Sequence, residues 1–149
     1  GTLINPTNVP RTATYRVTPR VGTCDGDPFD VVVTVNPRPS IPKQTLTICS
    51  GETLIFDPVN GSPTAATIVP AGTTYTWAIQ TNNANITGQS SQSTAQANFT
   101  QTLVNTTNAN RTITYSVTPT SGAAGSCVGS PFTVTVSVQP KPEIPNQTL

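Results

Sequence analysis

Apolar and polar residues alternate along much of this chain, a spacing that predicts strands and gives no helical period. In 112–118 (TITYSVT), Ile113, Tyr115 and Val117 share one face, and Thr112, Thr114, Ser116 and Thr118 share the other. In 132–138 (FTVTVSV), Phe132, Val134, Val136 and Val138 oppose Thr133, Thr135 and Ser137. Both patterns occur earlier in the chain, through Tyr15 and Val17 and then Phe29, Val31, Val33 and Val35. Alternation of this kind belongs to antiparallel sheets with one face on a core and one in water. Between the copies, 45–49 and 53–57 predict two short strands about a Ser50-Gly51 turn. Residues 73–79 (TTYTWAI) point Tyr75, Trp77 and Ile79 inward, and 96–104 predicts a strand with Phe99 and Leu103 in the core. The polar stretch 80–94 reads as loop with a short strand about Ile86. The expectation is six or seven strands in about 100 residues, the size of a β-sandwich. Its expected core is built on Tyr75, Trp77, Phe99, Tyr115 and Phe132.

An internal repeat divides the chain. Residues 2–22 match 102–122 at 13 of 21 positions, and 24–46 match 127–149 at 14 of 23 after a three-residue insertion before Cys127. The resulting period of 103 residues is too long for a solenoid unit and fits a whole sandwich domain. Residues 1–36 then read as the C-terminal part of a preceding repeat, 40–139 as a complete repeat, and 140–149 as a joint and the start of the next. The joint at 37–42 carries Pro37, Pro39 and Pro42, matched by Pro140, Pro142 and Pro145. Alternate prolines fix φ and favour an extended path, which predicts a semi-rigid spacer of about 3.1 Å per residue.

Composition narrows the function classes. Charged residues make up 9% of the 149 residues and the formal charge is +1, so the basic footprint of nucleic-acid binding is missing. No histidine is present, which removes the imidazole base and the histidine metal ligand. No apolar run approaches the ~20 residues of a membrane helix. Thr fills 29 positions and no charge lies between Asp57 and Arg111. A Thr/Asn-rich, β-patterned chain suggests an extracellular or cell-surface setting. Glu52 and Asp57 are the carboxylates between the two joints, and no base stands near a serine or threonine to activate it. No enzyme activity, cofactor or metal is expected.

The cysteines are Cys24, Cys49 and Cys127. The repeat makes Cys24 and Cys127 the same position in successive domains. A disulfide between Cys49 and Cys127 is expected, with Cys24 paired outside these residues; the alternative, Cys24 with Cys49, would cross the proline joint. A disulfide would imply an oxidising compartment.

Other candidate sites favour plain readings. Asp25, Asp27 and Asp30 suggest calcium, but their counterparts are Val128, Ser130 and Thr133. A Lys–Asn isopeptide needs a buried lysine, and Lys43 and Lys141 lie in the joints. The N-glycosylation patterns beginning at Asn60, Asn85, Asn98, Asn105, Asn110 and Asn146 follow from Asn/Thr-rich composition. Tyr75 and Trp77 could stack a sugar, but their parity with Ile79 favours core. Loops 58–72, 80–94 and 120–126 are where a ligand would bind.

The motifs Thr47-Ile48-Cys49-Ser50-Gly51, Thr73-Thr74-Tyr75-Thr76-Trp77, Thr114-Tyr115-Ser116-Val117-Thr118-Pro119, Cys127-Val128-Gly129-Ser130-Pro131-Phe132 and Pro140-Lys141-Pro142 together resemble PKD-like (polycystic-kidney-disease-like) repeats. These occur in tandem in very large surface adhesins of Bacteroidota, including the mobile adhesins of gliding flavobacteria. The resemblance implies an all-β, immunoglobulin-like antiparallel sandwich, export by the type IX secretion system, and a non-catalytic structural role in attachment and gliding motility. It implies neighbouring repeats of the same chain as partners, with a surface polysaccharide or an abiotic surface as the outer target. A polysaccharide-binding module of a secreted protein is the alternative.

Overall fold

The computed structural model describes residues 1–122 and 125–144. Upstream, β1 (Arg11–Val17) and β4 (Phe29–Val35) form an antiparallel hairpin, with a small ladder of β2 (Arg20–Val21) and β3 (Cys24–Asp25) at its tip. Downstream come β5 (Gln44–Cys49), β6 (Thr53–Phe56), β7 (Thr74–Thr81), β8 (Ile86–Thr87), β9 (Gln92–Gln96), β10 (Phe99–Thr102), β11 (Val104–Asn105), β12 (Arg111–Thr120) and β13 (Phe132–Gln139). No helix occurs among the described residues. One layer is a five-stranded sheet in the order β5-β13-β12-β7-β9, and the facing layer holds the pairs β6–β10 and β8–β11. The chain is an all-β, immunoglobulin-like sandwich.

Period-two alternation puts one face of each long strand between the layers. Ile113, Tyr115 and Val117 of β12 and Val134, Val136 and Val138 of β13 are fully buried, and Leu54, Ile86, Phe99 and Leu103 close over them from the other layer. Tyr75, Trp77 and Phe132 join the same core. Trp77 and Tyr115 both meet Phe99 edge-on, at ring separations of 5.0 and 5.1 Å, the geometry the ring quadrupole favours.

Three features depart from the sequence expectation. The polar stretch 80–94 holds, besides the expected short strand β8, most of β9; β9 pairs only with β7 at the sheet edge, where its backbone bonds form without an apolar stripe to mark them. The strand expected over 96–104 is divided among the end of β9, β10 and β11. The long sheet is also not wholly antiparallel, because β5 runs parallel to β13, from Val134↔Gln44 to Gln139↔Cys49.

That direction corrects the expected disulfide. Cys49 pairs across to Gln139, at the C-terminal end of β13. Cys127 lies before the other end, where its carbonyl accepts from Ser121 N at 3.0 Å. The length of β13, roughly 20 Å or more at ~3.3 Å per residue, separates them, whereas a disulfide needs Cα atoms within about 7 Å. Cys24, Cys49 and Cys127 are all free, so the alternative Cys24–Cys49 bridge is absent too. Without reductant, a thiol reagent should therefore modify three cysteines per native chain; fewer would restore a bridge. Trp77→Ala should cost about 3–5 kcal/mol by urea unfolding, since it removes a buried ring from the aromatic cluster.

Candidate functional site

Loops at the end where the chain enters the domain converge on the proline joint. Pro37, Pro39 and Ile41 are buried, and the intervening Arg38 and Ser40 are exposed. Ser40 forms an isolated antiparallel bridge with Ile68: Ser40 N donates to Ile68 O at 2.9 Å, and Ile68 N donates to Ser40 O at 2.8 Å. Arg38 Nε donates to the carbonyl of Val128. Beside this contact is an apolar crevice of about 630 Å³ lined by Leu3, Ile4, Val35, Cys127 and Val128 among others. Parts of two loops expected to form a ligand rim are engaged with their own chain: Ile68, in 58–72, holds Ser40, and a Cβ at Gly125, in 120–126, would come within 3.0 Å of the Asn36 amide nitrogen; residues 123–124 lie outside the described residues. The joint is docked along 37–41 and is not a free polyproline spacer. Pro42 is half-buried, as is Pro140, while Pro142 is exposed; Pro145 lies outside the described residues.

Other sequence candidates have ordinary structural partners. Asp25 faces Arg20 at 2.7 Å and Asp30 faces Arg16 at 3.8 Å, all with exposed side chains, where ion pairs contribute little. Among the described residues, no three His, Cys, Asp or Glu converge on a point that could hold a metal. Lys43 and Lys141 are exposed. Glu52 accepts from Cys49 N at 3.0 Å and closes the Ser50-Gly51 turn. Trp77 lies in the core with Nε1 donating to Ser90 O at 3.1 Å, so its ring faces offer no sugar platform.

Two buried polar groups escaped the sequence reading. Asn105 donates through Nδ2 to Ala109 O (2.8 Å) and Val138 O (2.9 Å), while its Oδ1 accepts from Thr107 N and Oγ1, both at 2.9 Å. Its amide is occupied and buried, so it is not a glycan acceptor. Asn5 repeats the arrangement with Val9, Val35 and Thr7. The shared Leu-x-Asn-x-Thr-Asn at the two positions was the available signal. Gln101 is the second group: Oε1 accepts from Tyr115 OH and Ser90 N, each at 3.1 Å. No signal marked it, since its partners Tyr115 and Ser90 come from two other segments of the chain.

Burial pushes the Tyr75 phenol up to about 12, and the Asp57 carboxylate adds to the shift. Burial drives Tyr115 well above the usual phenol range. Above pH ~10 the unfolded chain loses phenolic protons that the folded chain keeps, so it binds fewer protons and stability falls with rising pH. The contribution is intact below pH ~10 and, for Tyr75, is lost between about 10 and 12. Urea midpoints should therefore fall across this window, and less steeply in Tyr75→Phe; equal slopes would remove the assignment.

The PKD-like domain family matches the chain over residues 1–39 and again over 46–142. No curated protein matches it. The two matched stretches meet at the joint and take in both the hairpin and the sandwich, and the chain belongs to the PKD-like domain family.

Proposed function

We propose that this chain is a non-catalytic structural segment of a filamentous cell-surface adhesin, in which tandem repeats space and present adhesive regions during attachment and gliding. The observation that carries this reading is the direction of β5 beside β13. These are the first and last strands of the domain, and they are parallel neighbours. Tension enters at the Gln44 end of β5 and leaves at the Gln139 end of β13. It draws the two strands past each other along their length. Their evenly spaced hydrogen bonds are then loaded together in shear instead of being peeled in turn. Such a geometry suits a repeat held under load, and it needs no disulfide.

Tandem order supports the same reading. β1 and β4 pair in the register of β12 and β13: Tyr15↔Val31 and Val17↔Phe29 repeat Tyr115↔Val134 and Val117↔Phe132. Tyr15 is 47% exposed where Tyr115 is 0% exposed. This supports reading the hairpin as the C-terminal part of a preceding repeat. The extracellular setting and type IX export now rest on the family resemblance, because the cysteines no longer argue for an oxidising compartment.

Single-molecule stretching of the chain tests the proposal. The sandwich should unfold in one cooperative event, releasing about 350 Å for about 100 residues at ~3.5 Å each. Thr47→Pro, within β5, should lower the unfolding force. A featureless extension, or a force indifferent to this substitution, would overturn the load-bearing role. Retention of the isolated chain on a glycan array would favour a carbohydrate-binding module instead.

A further inference from the structure

We infer that each repeat carries, where the chain enters it, a receptor for the Pro-x-Pro-x-Ile segment of the joint before it. The downstream repeat thereby fixes the direction of the upstream one, and Pro140–Ile144 is the matching segment for the repeat that follows. The inference rests on the tandem-repeat reading but not on adhesion or motility.

The receptor is visible in its filled state. Pro37, Pro39 and Ile41 enter it on alternate positions of an extended segment, the side-chain spacing by which an added strand is recognised. The backbone of Ser40 pairs with Ile68, and Arg38 reaches the Val128 carbonyl. Gly129 forms the floor. A Cβ there would overlap the Pro39 carbonyl oxygen and lie 2.9 Å from Pro119 Cγ; only glycine lets the joint sit this close.

The same floor recurs one period earlier. Gly26 is the counterpart of Gly129, and each amide donates to the preceding proline carbonyl at 2.8 Å, Gly26 to Pro19 and Gly129 to Pro119. The three atoms nearest a Cβ at Gly26 all belong to Pro19, as Pro119 Cγ lies against Gly129. The joint segment recurs after β13. Ile144, the counterpart of Ile41, is 83% exposed where Ile41 is 6% exposed.

Comparing the two joints residue by residue separates what the receptor reads from what it ignores. The buried positions are identical: Pro37 and Pro140, Pro39 and Pro142, Ile41 and Ile144. The exposed positions differ: Arg38 becomes Lys141 and Ser40 becomes Glu143. Lys141 keeps a cationic donor for a carbonyl. Ser40 contributes only backbone to the Ile68 bridge, so its side chain is free to change.

Amide hydrogen exchange on the 149-residue chain, read by NMR, tests this directly. Ser40 and Ile68 should exchange at least ~100-fold more slowly than Glu143, relative to their unfolded rates. Gly129→Val should abolish protection at Ser40 and Ile68 while Tyr115 and Val134 stay protected. Ser40→Pro, which removes one bond of the bridge and lies outside the core, should speed Ile68 exchange roughly tenfold. The inference falls if Ser40 exchanges as fast as Glu143, or if Ser40→Pro leaves Ile68 at its original rate. Failure of the adhesin reading would show instead in the stretching experiment and would leave these amide rates unchanged.

Discussion

Ile113, Tyr115, Val117, Val134, Val136 and Val138 project onto one side of the paired strands β12 and β13 and are fully buried. The remaining elements of the domain are placed by the need to cover that face. Burying a side chain of this size stabilises the fold by about 1.5–3 kcal/mol, so leaving the face open would forfeit most of the stability of an ordinary domain. β6, β8 and β10 supply Leu54, Ile86 and Phe99, and Leu103 follows β10. The aromatic rings close the middle, and their polar ends are satisfied by Gln101 and Ser90. Asn105 then ties the β11 end to the Val138 carbonyl at the end of β13. The hairpin β1–β4 makes the point by contrast. It keeps the register and the Asn5 tie, yet Phe29 and Tyr15 remain about half exposed because the covering layer is absent.

What could be read from the sequence followed this face. Period-two alternation is strong in β7, β12 and β13 because one side of each is buried and the other is Thr/Ser. The core aromatics and the hairpin copy could be read for the same reason. β9 could not, since Gln92-Ser93-Thr94-Ala95-Gln96 has no apolar face and is ordered by backbone pairing alone. Polar side chains on an exposed edge also discourage pairing with other chains. The engaged loops were hidden too. Ile68 and Gly129 act through backbone groups and close approach, which composition and side-chain pattern do not record.

The cysteine error has one cause. The repeat makes Cys24 and Cys127 equivalent positions, but equivalence says nothing about which end of a sheet a position occupies. That depends on strand direction. A strand running antiparallel to β13 in the place of β5 would have carried Cys49 toward the Cys127 end. The parallel pairing carries it to Gln139 instead. The same choice puts the entry and exit of the domain at opposite ends of two bonded strands. One topological fact therefore keeps Cys49 from Cys127 and sets the first and last strands of the domain side by side.

The proline joint gains a different meaning from its docking. Alternate prolines alone stiffen a chain over several residues but leave it free to swivel at either end. Burial of Pro37, Pro39 and Ile41, with the Ser40–Ile68 bridge between them, removes the swivel at the downstream end. The upstream end follows without a break, since β4 stops at Val35 and Asn36 alone separates it from the buried Pro37. Few rotatable bonds then lie between one sheet and the next domain. In the array proposed above, tension would follow a continuous path from β13 through the joint into the following β5, so that stiffness between repeats and resistance within them would come from the same extended chain.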